Sequence, residues 1–81
     1  MKTQVEINEI VELLNAKKVL EAEKKTLQEL KKNPQSEVLY NLLGAILAEQ
    51  QKLNEAVINY KKSIEINNNY AQAYNNLGTA F

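Results

Sequence analysis

The side chains able to do chemistry in this 81-residue sequence are ten glutamates, ten lysines and four tyrosines, with a scatter of amides. Glu6 with Glu9, and Glu21 with Glu23, are close enough in sequence to be cast as general acid and base. That work needs two carboxyls in different environments around a pocket. Lys17-Lys18, Lys24-Lys25 and Lys31-Lys32 recur every seven residues and keep near one side of a helix. Such a stripe could meet phosphate or anionic lipid. Asn41 and Asn75 offer amides, each donor and acceptor at once, which can hold an extended backbone without reading its side chains.

What is missing decides among these. The sequence has no Cys, His, Trp, Asp or Arg. It can assemble no disulfide, no thiolate or imidazole metal site, no His-based nucleophilic apparatus and no arginine clamp on phosphate. The glutamate pairs fall on exposed helical faces without a pocket around them, which leaves them solvated. Glu21, Glu23 and Glu29 interleave the lysine stripe, and Glu21 can pair with Lys25 one helical turn on, so a solvated outer face is the better reading there too. No catalytic residue, metal or cofactor is expected, and the chain does not read as an enzyme. Net charge zero supplies no field to draw in nucleic acid. No apolar run approaches the roughly 18–20 residues that span a bilayer, so no membrane is expected. Met1-Lys2-Thr3-Gln4 leads straight into a charged amphipathic segment with no signal-peptide core, which points to a cytoplasmic protein.

The elements that must position these residues are helices. Ile7, Ile10, Val11 and Leu14 share one helical stripe; so do Leu53, Ala56, Val57, Tyr60 and Ile64, and then Tyr70, Ala73, Tyr74, Leu77 and Phe81. From Leu39 to Leu47 the apolar arc is wider, as for a helix covered on two sides. Thr3 with Glu6 reads as a capping box. Asn33-Pro34 stops the second helix and Ser36 caps the third. Asn67-Asn68-Asn69 separates the fourth from the fifth. The spacing predicts five helices, near 4–15, 17–32, 36–50, 53–66 and 69–81, and no strands.

The elements repeat. Tyr40, Asn41, Leu43 and Gly44 return at Tyr74, Asn75, Leu77 and Gly78, a shift of 34. The same shift relates Lys18 to Lys52, Glu21 to Glu55, Ala22 to Ala56 and Asn33 to Asn67. A glycine inside a helix costs roughly 1 kcal/mol relative to alanine. Gly44 therefore calls for a second helix approaching its bare backbone, with small Ala56 able to meet it and Tyr40, Leu43, Leu47 and Tyr60 filling the space around.

Tyr40, Leu43-Gly44, Leu47, Ala56 and Tyr60 at this period resemble the tetratricopeptide repeat (TPR). The resemblance is close over 37–81, looser over 17–36 and slight over 1–16, where Glu6, Glu9 and Ile10 stand in place of aromatic, leucine and glycine. Ala22 and Pro34 match the earlier repeat, whereas Asn68 stands where proline is usual. The resemblance implies a single all-α domain of antiparallel helix hairpins stacked as a right-handed superhelix. It would comprise a divergent repeat at 3–36, a repeat at 37–70 and the first helix of another at 71–81. Tyr74, Leu77, Gly78 and Phe81 would complete the signature.

It also implies a protein or peptide partner held in a concave groove lined by the first helix of each repeat. The groove side would carry Val38, Asn41, Ala45, Ala48 and Glu49, then Gln72, Asn75, Asn76 and Thr79, with Asn41 and Asn75 one above the other. Asn41 and Ala45 stand where a chaperone-binding carboxylate clamp would begin, which argues against that ligand. Tyr74–Gly78 is similar to the repeats preceding O-GlcNAc transferase-like catalytic domains. An alternative reading is thus the leader of a longer group-transfer enzyme. The packing face of the last helix has no partner helix in the chain, so self-association through it, or a longer parent protein, is expected.

Overall fold

The structure, a computed structural model, describes residues 2–80 and the side chains of residues 4–79. It contains α1 (Lys2–Asn15), α2 (Val19–Lys32), α3 (Glu37–Glu49), α4 (Leu53–Ile66) and α5 (Ala71–Ala80). There is no strand among the described residues. Phe81, assigned above to the packing face of the last helix, lies outside them.

Each helix packs on the next in chain order, and α3 also lies against α5. The wide apolar arc of α3 explains why. Its Leu39 and Ile46 are buried with Ile10 of α1 and Ala22 of α2, while its Leu43 and Leu47 are buried with Ala56 and Tyr60 of α4. Leu30 of α2 touches both clusters, which ties them into one core.

The ends of the helices have local causes. Ser36 accepts the Leu39 N–H at 3.2 Å and so caps α3, as its position after Pro34 predicts. Two boundaries differ from the sequence reading. The first helix is already formed at Lys2, which places Thr3 in its first turn instead of at its cap. The second begins at Val19 and not at 17, because Lys17 takes the left-handed conformation (φ 64°). The Lys18 N–H then reaches back to the Leu13 carbonyl and the Lys17 N–H to that of Leu14, a Schellman ending. One repeat later Gln51 (φ 64°) does the same, with Lys52 and Gln51 bonding to Leu47 and Ala48. The last helix starts at Ala71, two residues later than its pattern suggests, because the Asn67 side chain accepts the Asn69 N–H at 3.1 Å in a local turn.

The glycine of α3 meets a different neighbour from the one its spacing suggests. The atoms nearest to a Cβ added at Gly44 all belong to the Tyr60 ring, with Cδ1 at 2.6 Å, rather than to Ala56. The Lys62 ammonium of α4 stands 6.0 Å from the centre of the half-buried Tyr40 ring. The face of α3 that carries Leu43, Gly44 and Leu47 thus packs chiefly on Ala56 and Tyr60 of α4.

Candidate interaction surface

The proposed groove residues sit on α3 and α5, whose neighbouring positions are fixed by amide chemistry. Asn76 donates through Nδ2 to Asn41 Oδ1 at 2.8 Å. Asn41 is only 5% exposed, and its side chain also hydrogen-bonds the Tyr70 hydroxyl. The amide that meets Asn41 is therefore that of Asn76, one residue beyond the expected Asn75. Asn75 remains exposed, its backbone carbonyl accepting the Thr79 hydroxyl at 3.0 Å.

Behind this pair, the start of α3 is bolted to the end of α4. Ser63 donates its hydroxyl to the Glu37 carbonyl at 2.8 Å, and Asn67 donates Nδ2 to the Glu37 carboxylate at 3.2 Å. Burial pushes the Tyr70 hydroxyl above its ordinary range, the nearby Glu37 carboxylate adds to that, and the bond from Asn41 offsets part of it. Spacing puts Tyr70 on the apolar stripe of the last helix but gives no sign of its bond to Asn41. The 34-residue shift places it opposite Ser36, at the entry of the next helix, which is the available clue.

Along α3 the strip continues through Val38, Ala45 and Ala48, all half-buried, to the exposed Glu49. Ala48 packs against the cluster of Leu43 and Tyr60. Gln72, Asn75 and Thr79 are exposed on α5, and Asn76 is half-buried. The result is a floor of small side chains beside a row of uncharged amides and a hydroxyl. It can supply hydrogen bonds to a backbone.

The other chemistry-bearing groups take structural roles. Lys25 pairs with Glu9 of α1 at 3.6 Å, across two helices, rather than with Glu21 on its own. Gln50 donates to the Glu23 carboxylate at 2.7 Å and ties the end of α3 to α2. Glu29 is buried, its carboxylate 3.6 Å from Lys32, at the position that Ser63 holds one repeat later. Creases of about 420 Å³ along Lys32–Glu37 and about 300 Å³ beside Glu9, Glu12 and Leu13 are not lined by the α3–α5 strip. No helix among the described residues is long and apolar enough to cross a membrane.

Ala22, Leu43, Gly44, Leu47, Ala56 and Tyr60 are buried, and Pro34 is exposed in the turn between α2 and α3. On α5, Leu77 joins the cluster of Leu43 and Tyr60, whereas Tyr74 is 48% exposed and Gly78 has no atom within 4 Å of where a Cβ would be.

No curated protein matches this sequence. A family model described as TPR repeat matches residues 44–81. TPR repeats generally mediate protein–protein interaction, and helical repeats of this type are typically non-catalytic. The turn from α3 into α4, the Tyr60 ring and the second glycine all lie within the matched segment. Through residues 44–81 the chain is similar to the tetratricopeptide repeat, and its five helices are consistent with an all-α helical repeat of that kind.

Proposed function

We propose that the chain is a non-catalytic, cytoplasmic scaffold that holds an extended peptide or protein segment along the α3–α5 strip. The observation that carries this reading is the Asn76–Asn41 bond, which holds α5 beside α3 and leaves Asn75 and Gln72 exposed on α5 while Ala45 and Ala48 are half-buried on α3. Small residues let a peptide backbone approach closely. The neighbouring amides can then bond to its N–H and C=O groups at little cost in side-chain selectivity. The strip has one charged member, Glu49 at its end, so we expect a ligand of mixed polarity rather than an anionic one.

The groove reading is tested with peptides of random sequence displayed on phage and selected on the 81-residue chain. Selected peptides should shift the backbone amide resonances of Ala45, Ala48, Gln72 and Asn75. Ala45→Lys should weaken their binding by about tenfold or more with little change in melting temperature. Peptides that shift only the outer faces of α2 and α4, or that bind Ala45→Lys unchanged, would show that the strip is not the site.

A further inference from the structure

We infer that the outer face of α2 docks an acidic amphipathic helix of a partner protein, with Leu20 and Leu27 as the apolar seam and Lys24 and Lys31 meeting the partner's carboxylates. This surface lies on a different helix from the α3–α5 strip, and neither reading depends on the other. α2 packs on α1 and on α3, and its remaining face carries Leu20 at 73% and Leu27 at 45% exposure beside exposed Lys24 and Lys31. Packing does not ask for these two leucines. The 34-residue shift sets Asn54 and Lys61 of α4 at the same positions.

The glutamates that make this face look solvated in the sequence are mostly taken up by the fold. Glu29 is buried with its carboxylate 3.6 Å from Lys32. Glu23 is half-buried and accepts from Gln50 of α3 at 2.7 Å, and Lys25 turns to Glu9 of α1. The exposed charges over residues 17–32 are therefore five lysines against one glutamate, Glu21. Among the described residues, Lys24 and Lys31 have no ion partner. A net positive face with exposed leucines is complementary to a partner that presents carboxylates and apolar side chains together.

The geometry selects a helix as that partner. At about 100° per residue, Leu20, Lys24, Leu27 and Lys31 fall within about 60° of arc and alternate along about 16 Å of α2. The two leucines are one heptad apart and so within about 20° of each other, the width of a seam between two helices. A helix lying in a lipid surface uses a broader apolar face. The partner helix lays its own apolar side chains against Leu20 and Leu27, with Glu or Asp to either side. A seam this short belongs to the transient class of contacts.

The test is a library of helical peptides displayed on phage, with Leu or Ser at the seam positions and Glu or Lys beside them, selected on the 81-residue chain. Selection should converge on Leu at the seam flanked by Glu. The selected peptide should shift the backbone amide resonances of Leu20, Lys24, Leu27 and Lys31 and leave those of Ala45 and Gln72 in place. Lys24→Glu with Lys31→Glu should weaken its binding by about tenfold or more while the helical circular dichroism is kept, since both side chains are exposed. The same peptide with Lys in place of Glu should regain binding to that double variant. No enrichment, or Lys chosen as often as Glu, would overturn the proposal. So would a chain that selects no peptide yet sediments with phosphatidylserine vesicles and loses this in the double variant, which would assign the stripe to a lipid surface.

Discussion

At the scale of single residues, two glycines of one pattern have opposite surroundings, and that difference is the most direct measure of what the repeat does. Gly44 is closed by the Tyr60 ring, itself buried; Gly78 faces open space. Alanine is the better helix former by roughly 1 kcal/mol, which is the whole effect expected at Gly78. At Gly44 the added methyl sits within 3.0 Å of three ring carbons. Tyr60 is only 3% exposed, so its ring has little room to yield, and overpacking of this kind costs about 1–3 kcal/mol. Gly44→Ala should thus lower the midpoint of chemical unfolding while Gly78→Ala raises it. Denaturant titration of both variants checks this, and equal shifts of the same sign would mean that Tyr60 does not press on Gly44.

At the scale of helix pairs, α1–α2 and α3–α4 carry their bulk on opposite members at positions related by the 34-residue shift. The positions of Gly44 and Tyr60 are held one repeat earlier by Ile10 and Thr26, both fully buried. Thr26 satisfies its hydroxyl on the Ala22 carbonyl at 2.7 Å. Where α3 and α4 carry glycine and tyrosine, α1 and α2 carry isoleucine and threonine. If the two sites share one space, Ile10→Ala leaves a cavity costing about 2–5 kcal/mol, and Thr26→Tyr overfills by about 1–3 kcal/mol. The double variant should then be more stable than the sum of the two by at least about 1 kcal/mol. Simple additivity in urea melts would separate the sites. The exchange also shows what was legible in the sequence. Pro34, Ser36 and the arc from Leu39 to Leu47 could be read directly, because a helix stop, a cap and two-sided burial each require particular residue types. The 34-residue shift made the repeat legible through Gly44 and Ala56. The left-handed turns at Lys17 and Gln51 could not be read, since neither residue type favours that conformation and tertiary packing imposes it. Nor could the choice of Asn76 over Asn75 as partner of Asn41. Neighbouring positions differ by 100° around a helix, and only the docked orientation of α5 separates them.

At the scale of the whole molecule, α3 is shared by both apolar clusters and by the α5 contact, so loosening either joint should melt all five helices together. Two tyrosines sit at those joints: Tyr60 between α3 and α4, and Tyr70 where α5 meets α3. Burial raises both hydroxyls above their ordinary range, at Tyr70 with help from the Glu37 carboxylate. A raised value means that the folded chain keeps protons the unfolded chain gives up. The stability from these groups is therefore fully present below about pH 10, the unfolded value, and falls as pH rises past it through the folded values. The melting temperature should be level from neutral pH to about 9.5 and drop steeply above 10. The informative comparison is with Tyr60→Phe and Tyr70→Phe. Each removes one buried ionisation and should flatten the alkaline limb relative to the wild type. Tyrosinate absorbance followed through the same titration should rise together with the loss of helical circular dichroism. An alkaline limb equally steep in both phenylalanine variants would mean that the two hydroxyls ionise without opening the joints, and that the stack does not behave as one unit.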